Sequence, residues 1–277
     1  MKKVVLITGA SSGIGKETAK LFEQNGFQVI AVARNVEKMK DLKYLGCSVF
    51  QMDLSDEQSI QTAFNKIYAE FKYIDILINN AGYAQNGFME ELMMSQLKNQ
   101  FEVNVFGLIR VTQMVLPKMR EKRNGHIINI GSVGGDFTTA GAGAYHASKY
   151  AVESFTDALR QELSNFNIKV SIVKPGGVET AFVENSTYPE AIVGNPYAKM
   201  RTNFLNMLAN ILKSDNSSFP ILKPIEVANA ILETAKSDNP KTRIRVGRTA
   251  KMMPVIKMLM SDKAFDKMIM NQLGLLK

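Results

Sequence analysis

A short β-branched run, Lys3 to Ile7, gives way at once to Thr8-Gly9-Ala10-Ser11-Ser12-Gly13-Ile14-Gly15. A helical pattern follows, with Ile14, Thr18, Leu21 and Phe22 on one side and Asn25-Gly26 as its stop. This strand–glycine turn–helix order constrains the chain more than any other stretch. Glycines let the backbone approach a pyrophosphate closely, and a helix N-terminus offers free N–H groups and the positive end of a dipole. A glycine cluster without flanking elements would be no more than a tight turn. Here both flanks are present, which is the context the phosphate-binding reading needs.

The rest of the chain repeats the alternation. Phe27 to Ala33 reads as a second strand, Val36 to Leu45 as a helix stopped at Gly46, and Cys47 to Met52 as a third strand running into Asp53-Leu54-Ser55. Ser55 is expected to cap a helix reaching about Phe71, with Asp56 and Glu57 in its first turn. Asp75 to Ile78 is a fourth strand ending in Asn79-Asn80-Ala81-Gly82. A long helix is expected from Ser95 to Arg120, with Asn104 in apolar surroundings and Pro117 near its end. His126 to Ile130 is a fifth strand, with Ser132 at its C-terminal end, where open parallel sheets bind ligands. A helix from Ala144 to Phe166 precedes a sixth strand, Ile168 to Val173, which leads into Lys174-Pro175-Gly176-Gly177-Val178-Glu179-Thr180. Pro224 opens a helix to Lys236, and Arg243 to Val246 is a seventh strand. Apolar side chains on successive strand positions are what a parallel sheet buried on both faces requires.

The expected fold is therefore α/β: a single doubly wound Rossmann-type domain over residues 1–250, with a parallel seven-stranded sheet and helices on both faces. Between Ala181 and Leu222 the periodicity loosens around Pro189, Pro196 and Pro220, and a segment this long between strand and helix reads as a lid over a site. Its Phe182, Tyr188, Phe204 and Met207 suit an apolar ligand. Residues 251–277 form a helical extension with Met252, Met253, Ile256, Leu259, Met260, Phe265, Met268, Ile269 and Leu273 at helical spacing. Packing on the domain or on a second subunit is expected of that stripe, ahead of contact with a membrane surface.

Two strand ends carry chemical information. The second strand ends Ala33-Arg34-Asn35, where a dinucleotide site commonly places an acidic residue on the ribose hydroxyls. A guanidinium without that carboxylate suits a 2′-phosphate, so NADP is expected ahead of NAD; the plain alternative is a solvent-facing arginine that starts a loop. Beyond the fifth strand, Tyr145 and Lys149 stand four residues apart, one turn of helix, on one face. A free phenol, with a pKa of roughly 10, is a poor acid or base at neutral pH. An ammonium beside it would favour the phenolate and make the pair a general acid/base toward an alcohol or carbonyl oxygen. Taken alone, the pair reads first as an ordinary surface lysine near a half-buried tyrosine, because that spacing is common, and its weight comes from the glycine turn and the sheet around it.

Composition narrows the rest. The net charge of +8 is scattered rather than blocked, which favours a small phosphorylated molecule and not nucleic acid. One cysteine, Cys47, excludes an internal disulfide and fits a reducing, cytoplasmic setting; with His126 and His146 the only histidines, no metal site is expected. The apolar start at the N-terminus breaks at Thr8-Gly9, short of a signal core of about 7–15 residues. No run approaches the roughly 20 apolar residues that span a bilayer.

Taken in order, the motifs resemble the short-chain dehydrogenase/reductase family, the single-domain kind built on a Tyr-x-x-x-Lys helix. The matching residues are the Thr8 to Gly15 turn, Asp53, Asn79-Asn80-Ala81-Gly82, Asn104, Ser132, Tyr145 with Lys149, and Pro175-Gly176, over roughly residues 1–185. The Ala33-Arg34-Asn35 strand end and the late Arg243 to Gly247 stretch resemble the hydroxysteroid and retinol dehydrogenase-like branch. The resemblance implies an NADP-dependent oxidoreductase interconverting an alcohol and a carbonyl on an apolar small molecule, such as a lipid, steroid or aromatic carbonyl. It implies Tyr145 as proton donor or acceptor, Lys149 lowering its pKa and holding the nicotinamide ribose, Ser132 on the substrate oxygen, and Asn104 positioning a water. It implies a cofactor held by Gly9, Ser11, Ser12, Gly13, Ile14 and Gly15, by Arg34, by Asp53 with Leu54 at the adenine, by Asn80, Ala81 and Gly82 along the ribose, and by Pro175, Gly176, Val178 and Thr180 at the nicotinamide. Many NADP-using relatives carry a basic residue where this chain has Ser12, so Arg34 bears that expectation. The resemblance also implies a homodimer or homotetramer paired through the helices that carry Asn104 and Tyr145. A non-catalytic NADP-binding sensor or scaffold is the rival, and the complete Asn104–Ser132–Tyr145–Lys149 set argues against it. A sugar-nucleotide epimerase is disfavoured by the glycine spacing and the length.

Overall fold

The computed structural model describes residues 2–180, 186–189, 195–213, 220–272 and 274. Seven parallel strands form one sheet in the order β3-β2-β1-β4-β5-β6-β7: β1 Val4–Thr8, β2 Gln28–Ala33, β3 Ser48–Gln51, β4 Ile76–Asn79, β5 Gly125–Ile130, β6 Ile168–Pro175 and β7 Arg243–Val246. The order reverses between β1 and β4, which pair with Val5 opposite Ile76 and Ile7 opposite Ile78. At such a reversal the crossovers leave in opposite directions and open a crevice beyond the strands' C-terminal ends. Helices α1 (Gly13–Gln24), α2 (Lys40–Tyr44) and α8 (Pro224–Lys236) cover one face, burying Phe22, Leu42, Val227 and Ile231. Helices α3 (Glu57–Glu70), α5 (Leu108–Lys122) and α6 (Gly143–Glu162) cover the other, through Ile60, Phe64, Ile67, Val111, Val115 and Val152. Cys47 is buried, and burial pushes its thiol up to about 11, so it packs as a small apolar residue.

Three local expectations need correction. Ser55 does not cap α3: Asp56 does, its carboxylate accepting from the N–H groups of Gln58 and Ser59, while Ser55 donates to Asp53 Oδ1. The stretch expected as one helix from Ser95 is three pieces, α4 (Met94–Phe101), a π-helical turn (Glu102–Gly107) and α5, and Pro117 sits inside α5. The tail begins its helix earlier than expected, as α9 (Arg248–Leu259), followed by α10 (Asp262–Gln272). Of the expected lid, Phe182 lies outside the described residues, while α7 (Ala198–Lys213) runs as a helix through the stretch where the periodicity loosens. Among the described residues no helix is long and apolar enough to cross a membrane.

Candidate active site

The crevice is one cavity of about 1650 Å³ along the C-terminal edge of the sheet. Its floor at the reversal point is the glycine turn. Gly9 has φ +68°, and a Cβ there would meet Ala81 Cα at 2.7 Å. A Cβ on Gly15 would lie 2.4 Å from both Gly9 O and Asn80 Nδ2. The turn is thus packed backbone against backbone, and only glycine fits. Asn80 holds it, donating to the carbonyls of Thr8 and Gly9 at 2.9 and 3.2 Å. Thr8 answers by accepting from the N–H groups of Asn80 and Ala81, both at 3.0 Å. The sequence showed Thr8 only as the opening residue of the glycine motif, yet its hydroxyl ties β1 to β4 at the site.

Most of the expected residues come together on this cavity. Gly9, Ser11, Ser12, Gly13 and Ile14 line its start, and Asn80, Ala81 and Gly82 the centre. Pro175, Gly176, Val178 and Thr180 line the far side, with Thr180 against Gly13. Arg34 stands exposed at the rim, close enough to Tyr83 for its charge to pull against the rise that burial gives that phenol. Lys38, inside the stretch Val36 to Leu45 that carried no site signature in the sequence, lines the same rim. Asp53 and Leu54 complete that end, with Asp53 Oδ1 engaged by the Ser55 backbone N–H and hydroxyl. Gly15 and Asn104 stand behind the wall rather than on it.

At the other end, Ser132, Tyr145 and Lys149 share the cavity. Ser132 is placed by the turn after β5, its Oγ accepting from Gly134 N–H at 3.0 Å. Lys149 is 6 % exposed, donates to Ile130 O at 2.8 Å, and holds Nζ 5.9 Å from the Tyr145 ring centroid. Burial lowers its pKa to about 8, opposed by the Glu153 carboxylate one turn further on. The expectation of a lowered Tyr145 pKa is not met: burial pushes the phenol up to about 12, partly offset by a hydrogen bond with the Ser132 side chain. Desolvation of the phenolate outweighs the ammonium at this separation. The Asn104 amide is engaged within the protein. Its Oδ1 accepts from Tyr83 N–H at 3.0 Å, and its Nδ2 donates to Tyr83 O and Ser148 Oγ.

The Ser132 loop is braced from below. Lys174, 1 % exposed, lies 2.7 Å from Asp136 Oδ1 and 2.7 Å from Glu153 Oε1; the second contact is an ion pair without hydrogen-bond direction. Arg245 joins Asp136 and Arg243 joins Glu153, so β6, β7, the loop and α6 are locked together. The outer part of the cavity is apolar. Phe137, Phe204, Met253, Phe265 and Ile269 form a cluster with Tyr188 and Met207 packed on it, bringing the loop after β5 together with α7, α9 and α10. The described part of the segment expected as a lid is fastened to the loop after Gly82 through Arg201 with Glu91, Thr187 with Gln85, and Tyr197 stacked on Phe88 at 5.0 Å.

Comparison with known proteins agrees with this architecture. The family described as short chain dehydrogenase matches residues 3–191. The chain belongs to the short-chain dehydrogenase/reductase family. It is 35 % identical over 250 residues to a 3-ketodihydrosphingosine reductase of Bacteroides thetaiotaomicron, covering 88 % of each chain. A short-chain dehydrogenase from Streptomyces avermitilis superposes with a TM-score of 0.81 at 29 % identity, covering 99 % of this chain and 96 % of that one. The closed form of a serine dehydrogenase complexed with NADP+ gives 0.75 at 29 % identity, covering 89 % and 95 %. The protein is an oxidoreductase of this family, acting on CH–OH groups.

Proposed function

We propose that the protein interconverts a secondary alcohol and a carbonyl on an apolar small molecule, with NADP as cofactor and Tyr145 as general acid/base. The observation that carries this is the convergence of Ser132, Tyr145 and Lys149 in one cavity with the glycine turn. The residues fit the cofactor. The Cβ-free turn and the N-terminus of α1 suit a pyrophosphate, and Asp53 and Leu54 lie where the adenine would sit. Arg34 and Lys38, with no carboxylate at the β2 end, suit a 2′-phosphate, a charge-assisted pairing among the stronger hydrogen bonds. The bound nicotinamide would supply the hydride.

The chain's own residues handle the oxygen. Ser132 holds the substrate oxygen and supports its developing negative charge. Tyr145, protonated at neutral pH, donates its proton to that oxygen during reduction. Lys149, charged below about pH 8, steadies the phenolate left behind. Asn104 acts by fixing Tyr83 and Ser148 around the site, its amide being committed to them. The cluster of Phe137, Phe204, Met253 and Ile269 excludes water and favours an apolar body. The name of the Bacteroides relative, a reductase of a 3-keto compound, supports the same direction.

The test is a panel of apolar ketones and aldehydes followed by loss of reduced-cofactor absorbance, with NADPH and NADH in parallel. Wild type is expected to turn over members of the panel with higher kcat/KM for NADPH. Tyr145→Phe should lower kcat roughly 10²–10⁴-fold, the usual range for losing a general acid, while binding NADPH as wild type does. A folded Tyr145→Phe variant with substantial turnover would refute the assignment, and a preference for NADH would refute the reading of Arg34.

A further inference from the structure

His146, next to Tyr145, takes no part in the chemistry above, yet it lines the same cavity while only 8 % exposed. Its Nδ1 accepts a hydrogen bond from Thr139 N–H at 3.2 Å. A ring nitrogen that accepts a backbone N–H carries no proton, so the neutral imidazole must carry it on Nε2. Burial holds the pKa down at about 4, which keeps the ring neutral across the working range of pH. Among the described residues that Nε2–H makes no hydrogen bond, and it is not one of the fully buried atoms left without a partner, so it opens on the cavity. The chain's other histidine differs: His126, on β5, has its Nε2 paired with Ser171 Oγ on β6 at 3.1 Å.

The position of the ring is fixed on several sides. It lies on Gly134, two residues beyond Ser132, where a Cβ would stand 2.6 Å from His146 Cδ2 and 3.0 Å from Nε2. Phe137 meets it edge-on at 6.3 Å between centroids, and the Tyr145 ring lies at 5.6 Å. An oriented donor is thus held on the cavity wall beside the phenol and hydroxyl that would hold the reacting oxygen. The donor opens on the cavity, where water satisfies it, and an occupant that displaces that water without offering an acceptor would leave it unpaired, so the arrangement favours occupants that bring their own acceptor.

We propose that His146 donates from Nε2 to a second substrate oxygen, a hydroxyl or carbonyl within a few bonds of the reacting carbon, and so selects oxygenated ketones over plain ones. The proposal rests on the carbonyl-reductase reading above. It makes His146 a specificity residue: it moves no proton and does not touch the reacting oxygen.

The experiment compares kcat/KM, at saturating NADPH, for a linear methyl ketone and for β-hydroxyketone and β-diketone analogues of equal length. Wild type should favour an oxygenated analogue about tenfold, equivalent to about 1.4 kcal/mol. His146→Phe should bring the ratio to about one. His146→Gln, whose amide can accept from Thr139 and still donate, should restore part of it. No preference in wild type, or the wild-type ratio in a His146→Phe variant that binds NADPH, overturns the proposal. If wild type reduces neither kind of ketone, the reductase reading fails as well; turnover of both without discrimination sinks only the role of His146. Nitrogen NMR of histidine-labelled wild type reads the same contact without any substitution. The Nε2–H signal of one histidine should move when the oxygenated alcohol product is added with NADP+ and stay for the plain alcohol, and no movement with either overturns the assignment.

Discussion

Lys149 is pulled two ways. Burial strips water from the ammonium and lowers its pKa to about 8, while Glu153 opposes the loss of charge. Tyr145, raised to about 12, stays protonated well beyond that point. The sign for activity follows. Below about pH 8 the ammonium is charged and the phenol holds its proton, which is the state a reductive proton transfer needs. Above it the ammonium loses its proton and the phenolate formed in the reaction loses its countercharge. The expected profile of kcat/KM for carbonyl reduction is flat through neutrality and falls as pH rises past about 8. Glu153→Gln removes the opposing carboxylate and should move the fall to lower pH. Stopped-flow rates across the range check this, and an identical profile in the variant would show that Glu153 has no electrostatic role.

At the scale of elements, the strands were legible because buried parallel strands leave near-continuous apolar runs ending in glycine or asparagine. The exceptions sit inside those runs. Asn79 and Asn129 are register partners on β4 and β5, both essentially buried. Asn79 Nδ2 donates to Asn129 Oδ1 at 2.9 Å and to Thr112 on α5, and Asn129 Nδ2 donates to Thr156 on α6. This polar rung couples the sheet to the helices behind the site. Asn129→Ala strands donors and acceptors on both sides and should cost about 1–3 kcal/mol in urea unfolding, the usual penalty for an unpaired buried group. A loss within error would mean the rung contributes nothing net. The π turn over Glu102–Gly107 was not legible, because one widened turn barely disturbs an apolar period of 3.6 residues. Its effect is large: it aims Asn104 at Tyr83 and Ser148 instead of into the cavity.

At the scale of the molecule, the inner half of the cavity could be read from motifs, whereas the outer half could be read only as apolar residues, Tyr188, Phe204 and Met207 in the expected lid and Met253, Phe265 and Ile269 in the tail, without the contacts that join them. Turn glycines, strand ends and the Tyr145–Lys149 helix have local signatures. The apolar spacing of α7, α9 and α10 gives only a face, and its partners Phe137 and Tyr188 come from distant loops. The tail also keeps a second face uncovered, with Met258 and Leu259 76 % and 77 % exposed. A further apolar surface lies on the helices expected to pair two subunits. Phe106 in the π turn and Phe155 on α6 are 45 % and 40 % exposed, with Met93 and Met94 nearby in sequence beside α4. Large apolar side chains left exposed on two elements that pack on one another, the π turn and α6, mark an association surface more often than a wet one. We expect a dimer at micromolar concentration in sedimentation velocity, with Phe106→Glu/Phe155→Glu shifting it to monomer because two carboxylates would be buried unpaired. A wild-type monomer would refute the pairing outright. A double variant that stays dimeric would place the contact elsewhere, and the Met258–Leu259 face would then be the surface to charge next.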